Sequence, residues 1–141
     1  MYFFIIYEHG LKHCKEITNI LSNKFTIKRI VDLNIRKNDM HNFFFKYLYK
    51  NENHMHISNK IQYLFQLNKN NMFKMNIYMV CDKNEVFFND RGTKKNLNIE
   101  LIKRTIRNKF NPKFYDKNLK IFPLEKGVSH NHIVHSNDVP E

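Results

Sequence analysis

Alanine and tryptophan are absent from this 141-residue chain, and glycine, proline and cysteine are scarce, at three, three and two residues. So few glycines disfavour a glycine-built phosphate loop, and none of the motifs GxGxxG, GxxxxGK(S/T), GxSxG or HExxH occurs. Cys14 and Cys81 lack the close spacing of a metal knuckle or a disulfide framework, which favours a reducing compartment. An anion site would therefore need side chains and a helix amino end, such as residues 98–101.

The composition indicates one basic domain encoded by an AT-rich genome. A chain of this length that is 42% hydrophobic suits a single core. The 21 asparagines and the many lysines have AT-rich codons, so part of the net charge of +11 reflects codon usage. That charge still favours a polyanionic partner, and arginine is the better clue because its guanidinium binds phosphate bidentately. The five arginines are at positions 29, 36, 91, 104 and 107.

The opening segment predicts a buried strand and neither a secretory leader nor a membrane span. Residues 2–7 are a continuous apolar run, but no basic segment precedes them and Glu8 and His9 follow at once. We therefore expect no membrane partner. The expected location is the cytoplasm, which for a viral protein means the host cytoplasm or the virion.

The apolar pattern predicts one mixed α/β domain over residues 1–141, with two or three layers. The strand at 2–7, a helix at 11–21 and a strand at 25–33 predict a parallel β-α-β crossover after a turn at Gly10. The carboxyl ends of these two strands, near residues 8–10 and 34–36, should lie on one rim of the sheet. Open α/β sheets bind their ligands at such rims.

The rest of the chain is predicted to add a β-hairpin and three helices. The clearest strand is 73–81, which alternates strictly, turns at Lys83 and Asn84, and pairs with a strand at 85–88. The other predicted elements are helices at 40–49, at 61–67 and at 99–110 with Asn98 as its cap, and a short strand at 119–122. Residues 136–141 are typical of a helix start with nothing after it, so we expect either a domain that needs no such helix or a shortened version of a longer chain that lacks its terminal helix.

Three histidines, at 130, 132 and 135, stand in the sequence HNHIVHS near the carboxyl end. Imidazoles in this pattern suit phosphate or proton chemistry, metal binding, or a solvated surface without a role. In an extended segment His130 and His132 share one face and His135 takes the other, so joint metal ligation would need a turn. We therefore predict no metal site here.

His9 and His13 stand at the predicted strand-to-helix turn, four residues apart. Two helical histidines at this spacing can bind one metal ion, but the intervening glutamate of a metalloprotease is missing. We therefore expect His9 and His13 to be ordinary residues of the turn and of the first helical turn. Their place at the carboxyl end of the first strand is nonetheless where ligands bind in this class of sheet.

A second group of candidates converges in the last sixty residues. Arg91 precedes Gly92 in a turn, where a guanidinium can fork onto an anion, and Lys103 and Arg107 add charge one helical turn apart. Asp82 follows the clearest strand, where a carboxylate can orient a histidine or hold a metal. The ordinary alternatives are a solvated helix face and an aspartate that caps a turn.

These residues belong to an ordered set in the chain. The set is Cys81-Asp82, Arg91-Gly92, Asn98, Lys103, Arg107, and finally Gly127 with HIVHSND. In this order and spacing the chain resembles an uncharacterised small α/β domain family of large DNA viruses and bacterial hypothetical proteins. The resemblance implies that His132 and His135 are the matched pair, in one constellation with Lys103 and Arg107. It implies no particular activity, and the family's domain continues with a terminal helix after the position of Glu141.

Together these features predict a basic pocket for a phosphorylated small molecule such as a nucleotide, with phosphoryl or nucleotidyl transfer as the reaction. Arg91, Lys103 and Arg107 would neutralise phosphate, while His132 or His135 would act as acid, base or nucleophile and Asp82 would orient a histidine. A divalent metal accompanying the nucleotide is compatible with this chemistry.

Two alternatives stay open at this point. The first is a non-catalytic nucleic-acid-binding protein that uses charge and exposed aromatic residues to stack bases. The second is a structural or assembly protein of a virus particle. The sequence carries no indication of oligomeric state.

Overall fold

The protein has a mixed α/β fold, as predicted. A computed structural model describes residues 1–34, 39–51, 57, 60–80, 93–108 and 117–124, and for residues 93–99 it describes the backbone alone. The elements are, in chain order, β1 (Tyr2–Glu8), α1 (Lys12–Lys24), β2 (Ile27–Leu33), α2 (Met40–Asn51), β3 (Ile61–Lys69), β4 (Phe73–Val80), α3 (Thr93–Arg107) and β5 (Leu119–Pro123). Within these ranges no helix combines the length and the apolar character that crossing a membrane requires.

The five strands form one sheet in the order β2-β1-β4-β3-β5. β1 and β2 are parallel, which confirms the predicted crossover through α1, and all other neighbours are antiparallel. Alternate residues of β1 point to opposite sides of the sheet, and both sides are covered. Phe3 and Ile5 pack with α1 and α3 in one core, whereas Phe4 and Ile6 pack with α2 in the other. The fold therefore has three layers.

The segment at 61–67 is a strand, so the predicted helix is wrong. Ile61, Leu64 and Phe65 have the three- and four-residue spacing of a helix face, but β3 is covered on both sides and buries residues of either parity. Tyr63, Phe65 and Leu67 join the α1 side, while Ile61 and Leu64 join the α2 side. A strand buried on both faces loses the clean alternation that marks a half-buried one.

β3 and β4 form an antiparallel hairpin. It closes where the amide of Met72 donates to the carbonyl of Lys69 at 3.1 Å. Asn71 at the turn has a φ of 66°, a left-handed conformation that asparagine tolerates better than most residues. β4 lies between β1 and β3, so both of its edges are occupied. The predicted turn at Lys83 and strand at 85–88 lie outside the described residues.

α3 begins at Thr93, six positions before Ile99, so Asn98 lies inside the helix and is not its cap. No glycine or proline interrupts residues 93–107, and the helix accordingly extends back to the residue after Gly92. Ile102 and Ile106 are buried against α1 and the sheet, as predicted. The predicted strand before Pro123 is also confirmed, as β5.

A buried polar network lies beneath α2. The side chains of His41, Asn76 and Tyr78 are almost fully buried. The Asn76 amide donates to the Tyr78 hydroxyl at 3.0 Å, and His41 Nδ1 lies 2.8 Å from the same oxygen. The Tyr78 ring also stacks on Phe44, with 3.8 Å between ring centroids. Burial raises the pKa of Tyr78, so the hydroxyl keeps its proton and can donate it to His41.

We expect Tyr78→Phe to lower the free energy of unfolding by about 1–3 kcal/mol, because two buried polar groups lose the hydroxyl that they share. Urea denaturation followed by circular dichroism measures the change. Tyr49→Phe is the control, since that ring is 74% exposed and its hydroxyl lies outside this network. An equal effect of the two substitutions would show that the network adds nothing to stability.

Candidate functional site at the parallel rim

The carboxyl ends of β1 and β2 bring together three ionisable side chains, those of Tyr7, His9 and Asp32. Tyr7 and Asp32 are register partners on these two strands and so share the side of the sheet that α1 covers. His9 follows directly after β1, and its amide donates to the carbonyl of Leu33 at 2.7 Å. Gly10 then turns the chain with a φ of 86°, a left-handed conformation that suits glycine. The local fold therefore brings His9 back over the end of β2.

His9 and Asp32 form a close pair. Nδ1 of His9 lies 2.9 Å from Oδ1 and 3.1 Å from Oδ2 of Asp32. A carboxylate only accepts hydrogen bonds, so Nδ1 carries the proton and donates it. In the neutral ring Nε2 then bears the lone pair and can take up a proton or attack an electrophile. The two side chains are 61% and 43% exposed, so a ligand can reach them from solvent.

Tyr7 lies on the buried side of the Asp32 carboxylate and contacts it. Its hydroxyl donates to Oδ2 of Asp32 over 3.4 Å, and the residue is otherwise buried. Burial raises the pKa of Tyr7, and the negative charge of Asp32 raises it further. The phenol therefore stays protonated and remains a donor, which helps to fix the direction in which Asp32 holds the imidazole.

Cys14 lies in the first turns of α1 but does not offer a nucleophile. Its side chain is fully buried, and its sulfur accepts a hydrogen bond from the amide of Lys74 at 3.3 Å. Burial raises the pKa of the Cys14 thiol to about 12, so the reactive thiolate is scarce at neutral pH. The chemistry of this rim accordingly rests on the imidazole of His9.

The amino end of α1 is the third part of the rim. The helix begins at Lys12, and within the described structure its cap residue Leu11 makes no side-chain capping bond. The first amides of a helix point outward and favour an anion. Nδ1 of His13 lies 3.6 Å from Oε1 of Glu16 on the same helix. The described residues contain no group of three or more side chains suited to a metal.

Of the six residues predicted for the site, the structure describes two. Lys103 and Arg107 are one turn apart on α3, which packs on the same side of the sheet as α1. Nζ of Lys103 lies 3.3 Å from Oε1 of Glu100, so part of its charge is balanced within the helix. Asp82, Arg91, His132 and His135 lie outside the described residues, and their roles stay predictions.

Sequence reasoning missed Asp32 and undervalued His9. The signal for both was the predicted rim, since residues 8–10 and 34–36 were expected to meet there. Asp32 is the only acidic residue of β2 and stands two positions before that rim. A parallel register that pairs it with Tyr7 cannot be obtained from either strand by itself, because each strand fits several offsets.

Searches of protein-family models, of curated proteins and of solved structures yield no match to the chain. The resemblance to the viral and bacterial domain family therefore stays a prediction.

Proposed function

We propose that this protein binds a phosphorylated small molecule, such as a nucleotide, at the rim formed by His9, Asp32 and the amino end of α1. The observation that carries the proposal is the contact of His9 Nδ1 with both oxygens of Asp32, at 2.9 and 3.1 Å. This pairing fixes the tautomer and leaves Nε2 available, which is the arrangement that acid–base catalysis by histidine uses.

The reaction that suits these groups is phosphoryl or nucleotidyl transfer. Nε2 of His9 takes the proton of an acceptor hydroxyl as that oxygen forms its new bond to phosphorus. The bond from phosphorus to the leaving oxygen then breaks, and the leaving oxygen keeps the electron pair and later gains a proton. Asp32 holds the imidazole in place and offsets the charge that the ring acquires. The first amides of α1 offer hydrogen bonds to the phosphate oxygens.

The predicted basic and histidine residues extend this proposal. Lys103 and Arg107 would neutralise phosphate charge from α3, and Arg91 would do so from its turn. His132 or His135 would supply a second imidazole, with Asp82 orienting it. The rim residues and the residues predicted from the sequence can be tested separately, because a substitution in one set leaves the side chains of the other set unchanged.

A thermal-shift panel of nucleoside mono-, di- and triphosphates tests the proposal. With the ligand at 100 times its Kd, the wild-type protein should gain about 2.7 kcal/mol of stability. His9→Gln removes the imidazole that lines the proposed binding site, and Asp32→Asn removes the carboxylate that orients this imidazole, so both should reduce the ligand-dependent shift strongly. Both side chains are largely exposed, so the unliganded melting temperatures should change little.

His13→Gln is the matched control, since it removes an imidazole that faces Glu16 on α1. His135→Ala is the parallel arm for the predicted histidine pair. A shift that disappears in His135→Ala and persists in His9→Gln would move the site away from the rim. No shift with any nucleotide in the wild-type protein would refute the phosphate-binding proposal as a whole.

A further inference from the structure

α2 presents a basic and aromatic stripe on the side that faces away from the sheet. Lys46, Tyr49 and Lys50 follow one another at three- and one-residue spacing, so they lie within about a third of the helix circumference. Both lysines are exposed, and the Tyr49 side chain is 74% exposed. The opposite side of α2 is buried in the core through Phe44 and Leu48.

Cations of β2 lie on the same side of the sheet as α2. Arg29 is the register partner of Phe4, and Phe4 belongs to the core that α2 covers. Nζ of Lys28 lies 5.2 Å from the Tyr2 ring centroid and 6.0 Å from that of Phe4. The Phe4 ring in turn lies 5.6 Å from Phe44 of α2. The edge strand therefore adds positive charge on the side of the sheet that α2 covers.

α2 itself contributes no acidic side chain to this surface. The helix contains no acidic residue, and Asp39 immediately before it accepts a hydrogen bond from the amide of Asn42 at the helix start. Lysine is common throughout this chain, so the lysines alone would indicate little. The additional feature is Tyr49, a large aromatic ring kept in solvent between two lysines, where burial would have been the favoured state.

We propose that the α2 stripe, Lys46, Tyr49 and Lys50, together with Lys28 and Arg29, binds single-stranded nucleic acid. The cations match the phosphate backbone, and the Tyr49 ring offers a face on which an unpaired base can stack. A duplex keeps its bases stacked on one another, so it has no unpaired base to place on an exposed ring. This second site is separate from the rim and does not depend on the proposed phosphate chemistry of His9.

Fluorescence anisotropy with a labelled twelve-nucleotide oligodeoxythymidine tests the proposal. Tyr49→Ala should raise the Kd about tenfold, whereas Tyr49→Phe keeps the stacking face and should stay within about twofold. The double variant Lys46→Gln/Lys50→Gln should lower the slope of log K against log salt by about 1.4, since each phosphate contact on a single strand contributes about 0.7. These side chains are exposed, so the variants should remain folded, which their melting curves verify.

Lys15→Gln/Lys24→Gln is the matched control, because it removes the same charge from exposed positions of α1 on the other side of the sheet. Equal weakening by the two double variants would mean attraction by net charge alone and would overturn the site. So would an unchanged Kd for Tyr49→Ala, or an absence of binding by the wild-type protein. Binding lost in His9→Gln but kept in the α2 variants would assign the oligonucleotide to the rim instead.

Discussion

Replacing Phe65 with alanine is expected to lower the free energy of unfolding by about 3–5 kcal/mol. Phe65 is fully buried in β3, where its register partners are Ile77 of β4 and Ile121 of β5. Removing the ring deletes its contacts and leaves a cavity that neighbouring strands can fill only in part. A typical domain has only about 5–15 kcal/mol of stability in total, so this substitution removes a large share of it.

Tyr63→Ala distinguishes the observed strand from the helix that the sequence pattern favoured. In β3 Tyr63 is buried on the same side as Phe65, so its truncation should cost about 3–5 kcal/mol. On a helix, which turns by about 100° per residue, Tyr63 would lie on the side opposite Ile61 and Phe65, and its truncation would cost little. Urea denaturation measures both variants, with Lys69→Ala as the exposed control. A neutral Tyr63→Ala beside a costly Phe65→Ala would contradict the strand; Phe65→Leu replaces Phe65→Ala if that protein does not fold.

Cys14 should react with a thiol reagent on the order of a thousand times more slowly in the folded protein than in the unfolded one. Burial raises the pKa of the thiol from 9.0 to about 12, and each unit reduces the thiolate fraction tenfold near neutral pH. The sulfur is also fully buried, so the reagent cannot reach it without an opening of the fold. The measurement is the rate of disulfide exchange with a chromogenic reagent at pH 8, in buffer and in concentrated urea.

The labelling experiment needs the Cys81→Ser background, so that Cys14 is the only thiol. Adding Lys74→Ala should leave the protection largely intact, because the amide that donates to the sulfur belongs to the backbone. Rapid labelling of folded Cys14 would show a reactive thiol at the rim. In that case the sulfur would compete with His9 as the nucleophile of the site.

The sequence pattern predicted those elements whose environment is uniform along their length. β1 is apolar at every buried position and therefore reads as a strand with both faces covered, and α1 has one apolar face. The prediction for β3 was wrong because the strand is buried on both faces, and its buried residues Ile61, Leu64 and Phe65 happen to have the spacing of a helix face. Strand pairing was harder still. The alternation in β4 reveals a strand, but it contains no information that the partners are β1 and β3.

For the candidate site, too, the sequence predicted the position of single residues but not the pairing between strands. The strand ends and the turn at Gly10 predicted the rim at the carboxyl ends of β1 and β2, and the sequence placed His9 at that rim. It did not identify the pairing with Asp32, since this depends on the offset between two strands joined by α1. The residues that sequence reasoning ranked highest, His132 and His135, remain a prediction to be tested in parallel with His9→Gln.

The position of β1 in the sheet also has a consequence during synthesis on the ribosome. β1 emerges well before its antiparallel neighbour β4, which ends only at Val80. After β2 is complete at Leu33, translation at about 5–20 residues per second needs a few more seconds to deliver β4. Throughout that interval the apolar segment 3–7 lacks its partner on the edge that β4 occupies in the folded protein. The nascent chain thus passes through a stage in which chaperone binding and premature aggregation compete with the correct pairing of this apolar strand.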